Sequence, residues 1–295
     1  MRFGLLGTGP WAVRTQAPAL AGHPDVEFVG VWGRDPGRAA GLAAAHGVRA
    51  YPSVAALLDD VEAVAIALPP DVQAPRAVQA AKAGRHLLLD KPIALTVADS
   101  RTVVDAVDAA GVRSTVFFTR RFCPTIESFL DGAVATGGWT GARHTLFSST
   151  LNNGSEFGNS PWRRERGGLW DVGPHGLSML LPVLGPVERV SAVGAPRDVS
   201  HVILTHHSGA VSTMVVTLDA PPAAARYETL FYGETGWIGV PPQEADAVTA
   251  CANAVSALVG GTDTRCDVHF GHRVVAVLAA AEQARDTGTS VPVRE

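Results

Sequence analysis

The chain opens Met1-Arg-Phe-Gly-Leu-Leu-Gly-Thr-Gly-Pro-Trp-Ala12, and the reading of that stretch decides the fold. Arg2 to Leu6 is a short, mainly apolar run that stops at Gly7-Thr8-Gly9, whose glycines allow a tight turn and close approach of the backbone to a ligand. A strand feeding such a turn and then a helix is the start of a dinucleotide-binding fold. The pyrophosphate would lie over the amides and positive dipole end of a helix beginning near Pro10 and Trp11, with Ala12 in place of a third glycine where helix and strand pack closely. G-x-G-x-x-A is weak evidence by itself. Its weight comes from its position, after the first strand and ahead of a second strand that ends at the right distance.

Outward from this turn, strand and helix alternate. Val26 to Trp32, Ala63 to Leu68, His86 to Leu89 and Val112 to Phe118 read as strands, with helices over Arg38 to His46, Val72 to Ala83 and Val97 to Ala110. With the first, that makes five strands. Unalternating apolar strands separated by helices predict a doubly wound parallel α/β sheet over residues 1–119. From 120 to 295 the pattern changes. His144 to Leu151, Glu188 to Val193, His201 to His207, Val211 to Leu218 and Tyr227 to Tyr232 read as strands with little helix between them. They predict an α+β domain built on a large, mainly antiparallel open sheet. Consecutive apolar residues such as Met214-Val215-Val216 suggest that both of its faces need cover, one from the chain's own helices and one from a second subunit. A last helix, about 268–286 and closed by Gly288, is expected to return to the first domain.

The end of the second strand bears on the cofactor. An acidic side chain there favours NAD by bonding the ribose 2′-hydroxyl, and an arginine accommodates the 2′-phosphate of NADP. The chain has Gly33, Arg34 and Asp35. With Gly33 at the discriminating place and Arg34 beside it, NADP is favoured; a register slipped to Asp35 would favour NAD.

Two later stretches carry chemistry. Leu87 to Ile93 reads L-L-L-D-K-P-I, a lysine at the C-terminal end of a buried strand, where doubly wound folds bind their ligands. Gly167 to His175 reads G-G-L-W-D-V-G-P-H. Its Asp171 and His175 have the i, i+4 spacing of one helix face, and a histidine beside a carboxylate suits proton transfer. A capping Asp171 and a merely packed His175 is the competing reading.

Taken together, G-T-G-P-W-A, Leu68-Pro69-Pro70, Asp90-Lys91-Pro92, Arg120-Arg121-Phe122 and G-G-L-W-D-V-G-P-H resemble the Gfo/Idh/MocA family of NAD(P)-dependent oxidoreductases, in order and over essentially the whole chain. The resemblance implies that Lys91 contacts substrate beside the nicotinamide and that Asp171 and His175 bind the reacting hydroxyl, His175 as acid/base. It implies a cofactor site drawn from Gly7, Thr8, Gly9, Pro10, Trp11, Gly33, Arg34, Leu68, Pro69, Gln73, Asp90 and Lys91. Trp162 and Arg163 fall near the substrate in such proteins, and the late sheet commonly makes a dimer. Asp90 replaces the usual glutamate, Leu68 a threonine and Gln73 a frequent histidine; none removes a proton-transfer group.

Composition limits the alternatives. At 295 residues, 46% hydrophobic and 18% charged, the chain has the balance of a globular protein with a sizeable core. A net charge of −4 with pI near 6.2 and no basic run gives no footprint for nucleic acid or an anionic membrane. No leader or spanning segment is evident, so the cytoplasm is the expected location. Cys123, Cys251 and Cys266 are scattered and read as reduced structural thiols. His201, His206 and His207 are not read as a metal site, since neighbours in a strand face opposite ways. Asn152 to Ser160 is polar and reads as a loop over the substrate. The function expected is hydride transfer between a nicotinamide and a hydroxyl or carbonyl carbon of a sugar, cyclitol or related polyol, by a homodimer or homotetramer. Reduction of a C=C or C=N bond, or a non-catalytic NAD(P)-binding regulator, are the alternatives.

Overall fold

The computed structural model describes every residue of the chain but Asn153. Its residues divide into two compact units, Met1–Cys123 with Glu244–His272, and Pro124–Gln243 with Arg273–Glu295.

In the first unit, β1 (Arg2–Leu6), β2 (Glu27–Trp32), β3 (Arg49–Ala50), β4 (Ala63–Ile66), β5 (His86–Asp90) and β6 (Ser114–Phe117) form one sheet in the order β3-β2-β1-β4-β5-β6. All its pairings are parallel. Leu5, Leu6, Val64, Ile66, Leu87, Leu88, Leu89 and Val116 are buried, as strands covered on both faces must be. The sheet has six strands rather than five. β3 is too short to leave an apolar pattern; it lies on the edge because Gly30, lacking a Cβ, lets the Arg49 carbonyl and the Tyr51 ring close in. Helices α2 (Pro36–His46), α3 (Val54–Asp60), α4 (Pro70–Lys82) and α5 (Val97–Ala110) follow their strands. Later, α9 (Ala247–Gly260) joins this unit. The strand order reverses between β1 and β4, and at such a switch point the strand C-termini open a ligand crevice.

In the second unit, a seven-stranded sheet runs β12-β11-β7-β10-β9-β8-β13. Its strands are β7 (Trp139–Phe147), β8 (Val187–Ala195), β9 (Val199–His206), β10 (Val211–Thr217), β11 (Arg226–Gly233), β12 (Gly236–Gly239) and β13 (Val291–Pro292). The sheet is mainly antiparallel, but β10 and β7 pair in parallel, which the strand pattern alone does not reveal. Strand β7 starts earlier than expected and ends at Phe147, where the Ser148 and Thr150 hydroxyls bond each other at 2.7 Å and turn the chain. Helix is also more plentiful than the strand count suggested: α6 (Pro124–Thr136), α7 (Pro161–Asp171) and α8 (Gly173–Leu184) belong here. Their Gly, Pro and Arg content had masked the helical period. Within the expected loop 152–160, residues Glu156–Asn159 form a 3₁₀ turn, and Asn153 lies outside the described residues. Helix α10 (Val268–Thr287) ends at Gly288, whose φ of 68° suits a C-terminal glycine.

Candidate active site

The two glycines of the first turn do different work. Gly7 sits at φ 129°, donates its N–H to the Trp32 carbonyl at 2.8 Å, and would drive a Cβ into the Ala67 carbonyl. It is glycine for the sake of the fold. A Cβ on Gly9 would have nothing within 4 Å, so the backbone there presents an open face such as a pyrophosphate would fill. A π-helical segment, Ala12–Gln16, follows and continues as α1 (Ala17–Ala21), with Ala12 fully buried. Trp11 stacks on Phe117 at 6.1 Å between ring centroids.

At the end of β2, a Cβ on Gly33 would lie 2.6 Å from Thr8 Cγ2, so the two turns touch. Arg34 is exposed. The Asp35 carboxylate caps α2, accepting from the Gly37 and Arg38 amides at 2.9 and 3.1 Å. Arg38, which the sequence reading passed over, lies in the first turn of α2 and donates to the Thr8 carbonyl at 2.6 Å.

Lys91 follows β5 and is partly exposed, while Pro92 behind it is buried. Its turn is held from beneath by Gln73, a fully buried residue of α4. The Gln73 amide donates to the Asp90 and Pro92 carbonyls at 2.8 and 3.2 Å and accepts from the Asp90 amide at 2.8 Å. The Lys91 amide in turn donates to the Asp90 carboxylate at 2.9 Å. Leu68 and Pro69 lead into α4, with the Pro69 carbonyl accepting from the Gln73 amide at 2.8 Å.

In the second unit, Asp171 and His175 do not share one helix. Asp171 ends α7 and His175 lies in the first turn of α8, with the His175 amide donating to the Val172 carbonyl at 3.1 Å. Glycines are what make this junction possible. A Cβ on Gly173 would sit 3.0 Å from Leu278 Cδ2, and one on Gly176 would sit 2.7 Å from Met214 Sδ. Among the described residues from Gly167 to Leu181, His175 alone is not buried. The Asp171 carboxylate is paired with Arg163 Nε at 2.9 Å. The Arg163 guanidinium also lies over the Trp162 ring at 4.8 Å and the Phe157 ring at 5.5 Å.

Residues 1–118 match the model of the oxidoreductase family with an NAD-binding Rossmann fold, and 134–239 match the Gfo/Idh/MocA C-terminal domain. The chain belongs to the Gfo/Idh/MocA oxidoreductase family. Among relatives of this Gfo/Idh/MocA enzyme, a dTDP-3,4-didehydro-2,6-dideoxy-alpha-D-glucose 3-reductase of Streptomyces antibioticus is 32% identical over 80% of this chain and 74% of its own. A D-xylose 1-dehydrogenase (NADP(+)) of Haloferax volcanii is 30% identical over 79% of this chain and 72% of its own. The WlbA dehydrogenase of Bordetella pertussis, solved with NADH and UDP-GlcNAcA, has the same fold, with a TM-score of 0.83 at 22% identity over 100% of this chain and 98% of its own.

Elsewhere, the histidine group separates as the strand geometry requires. His206 is buried and bonded to the Gly185 carbonyl and the Ser212 hydroxyl, both at 2.8 Å, while His201 and His207 are exposed. Among the described residues, no group of three or more His, Cys, Asp or Glu side chains is arranged to hold a metal ion. The three cysteines are buried and none is in a disulfide, and burial pushes the Cys251 thiol far up. No helix among the described residues is long and apolar enough to cross a membrane.

Proposed function

We propose that this oxidoreductase interconverts a hydroxyl and a carbonyl on a sugar, cyclitol or related polyol, with NADP as the preferred cofactor. The observation that carries the reading is His175, a titratable side chain reaching solvent from an otherwise buried stretch whose glycines fix its backbone. The sugar-directed names of the relatives support the substrate class. When bound, the dinucleotide gives or takes a hydride at its nicotinamide. Gly9 offers its open face to the pyrophosphate, with Thr8, Pro10, Trp11, Leu68, Pro69 and Asp90 around it, and Arg34 and Arg38 attract a 2′-phosphate. In alcohol oxidation His175 Nε2 or Nδ1 accepts the hydroxyl proton, and Asp171, held by Arg163, accepts a hydrogen bond from the substrate. Lys91 Nζ stabilises the negative charge that grows on the oxygen.

We assign the outer face of the second sheet to a homodimer or dimer of dimers, and buried thiols outside any disulfide suit the reducing cytoplasm. The test is fluorescence titration with NADPH and NADH, for the wild type and for Arg34→Ala, followed by turnover on a panel of myo-inositol, D-xylose and nucleoside-diphosphate sugars. Tighter NADPH binding that Arg34→Ala abolishes, with oxidation of a panel member, is the expected result. Equal affinities would remove the NADP preference, and a dinucleotide binder inert on every member would refute the substrate class.

A further inference from the structure

The turn that carries Asp171 is not held by α7 alone. Within α7 the backbone breaks at Gly167, where φ is 67° and ψ is −165°, so the turn from Gly168 to Asp171 starts afresh. Its first amide needs an acceptor that α7 cannot supply. The acceptor comes from Asp198, 30 residues on, at the tip of the β8–β9 hairpin: Gly168 N–H donates to Asp198 Oδ2 at 2.6 Å. The same oxygen receives the Leu218 N–H at 3.3 Å, just past β10. The other oxygen, Oδ1, occupies the place a Cβ on Gly167 would take. A Cβ on Gly168 would lie 2.7 Å from Thr217 Cα, so only glycine brings the amide this close to β10. Both glycines that open the G-G-L-W-D-V-G-P-H stretch are therefore explained by one carboxylate and one strand end.

The hairpin tip is itself pinned. Arg197 and Asp198 both have left-handed backbones, at φ 63° and 58°, a conformation that aspartate tolerates better than most side chains. The Arg197 carbonyl accepts from Thr217 Oγ1 at 2.7 Å, and Arg197 Nε donates to the Asp219 carbonyl at 3.0 Å. Tip, strand end and glycine break form one cross-tied unit.

We propose that Asp198 is a positioning residue for the reaction: it caps, from a distant part of the chain, the turn that ends in Asp171, and so fixes Asp171 and the α8 turn bearing His175. This rests on the roles given to Asp171 and His175 above. A displacement of about 1 Å in a reacting group can cost on the order of 10²-fold in rate, so a cap of this kind has catalytic weight without touching substrate.

The test uses the full chain. Asp198→Gly deletes the carboxylate while suiting the left-handed backbone, and Asp198→Asn keeps an oxygen that accepts from Gly168. Hydrogen exchange of the Gly168 amide should be slow in the wild type and Asp198→Asn and fast in Asp198→Gly. The single-turnover rate constant for hydride transfer, with NADP and the best substrate of the panel, should fall about 10- to 100-fold in Asp198→Gly and be largely restored in Asp198→Asn. A purely structural loss would lower the amplitude through a smaller folded fraction and leave that rate constant alone. Unchanged Gly168 exchange overturns the cap, and lost protection with a wild-type rate constant overturns the positioning role. The exchange arm needs no substrate, so a wild type that oxidises nothing fails on the substrate reading while the cap is judged separately.

Discussion

Gln73 and Asp90 are joined twice, the Gln73 amide nitrogen donating to the Asp90 carbonyl and its amide oxygen accepting from the Asp90 N–H, each at 2.8 Å. The same nitrogen also donates to the Pro92 carbonyl at 3.2 Å, so the residues on both sides of Lys91 are gripped by one buried side chain. Gln73→Glu keeps the shape and the acceptor but, when ionised, turns an acceptor toward two carbonyls. Each buried polar group left unmatched costs about 1–3 kcal/mol. The urea midpoint should drop by the equivalent of roughly 2 kcal/mol or more, and turnover should fall with it because the Lys91 turn is released. An unchanged midpoint would show that the grip contributes nothing.

The glycine turn separates a folding role from a binding role. Gly7→Ala should fail to give stable protein, since its Cβ would meet the Ala67 carbonyl and its φ of 129° is strained for alanine. Gly9→Val should melt like the wild type yet lose NADPH binding, because among the described residues its Cβ enters open space, which the pyrophosphate would otherwise fill. Thermal melts paired with NADPH titrations distinguish the two, and a Gly9→Val variant that binds normally would sink the pyrophosphate assignment.

How far these features could be read in advance depended on whether they are local. Strand β1, its Gly7-Thr8-Gly9 turn and helix α5 over Val97–Ala110 are legible because apolar runs, glycines and caps act within a few residues. Strand β3 was not, because two edge residues leave no pattern. Nor was the parallel pairing of β7 with β10, a choice made between segments some 70 residues apart, Val211 opposite Gly141 and Thr217 opposite Phe147. At the site, the motif named Asp171 and His175 but put them on one helix. The break between α7 and α8 depends on what the glycines pack against, namely Leu278, Met214 and Thr217, which sequence spacing does not contain.

His206 should make stability depend on pH. A carbonyl only accepts, so Nδ1 carries the proton toward Gly185, and Nε2 accepts from Ser212. Burial holds the ring below the ordinary value of about 6.5. The unfolded chain therefore binds more protons in the window just below that value, and stability is lost as pH falls through it. Partly buried His86, also lowered by burial and then by Arg113, adds to the same slope. Urea midpoints measured between about pH 7 and about pH 5 should fall less steeply for His206→Gln than for the wild type. Parallel slopes would mean that His206 does not titrate on unfolding.

The outer face of the second sheet should be a subunit contact. Cross-strand register puts Val193, Ile203 and Trp237 on one face, exposed by 66%, 49% and 61%. Apolar side chains of that size on one open sheet favour a covering partner, and a second copy supplies a matching face. Wild type should scatter light as a dimer or tetramer at micromolar concentration, and Ile203→Glu should shift it toward monomer. A monomeric wild type would leave the face without this explanation.

The assignment of proton transfer rests on His175. If it accepts the hydroxyl proton, His175→Ala should lose turnover by about 10²–10⁴-fold while still binding NADPH, since the turn proposed to hold the cofactor is the one around Gly9 and not this stretch. Lys91→Ala should also lose turnover, because the charge it offers matters more as the substrate oxygen becomes anionic. The rate of alcohol oxidation in the wild type should rise with pH, because the group that accepts the hydroxyl proton must first be free of its own. Single-turnover hydride transfer, measured for the wild type and both variants on a substrate from the panel, separates the chemical step from product release. If both variants transfer hydride at near wild-type rates, neither the Asp90-Lys91-Pro92 turn nor the Asp171-to-His175 junction is the catalytic centre, and a dinucleotide-binding regulator becomes the better account of the chain.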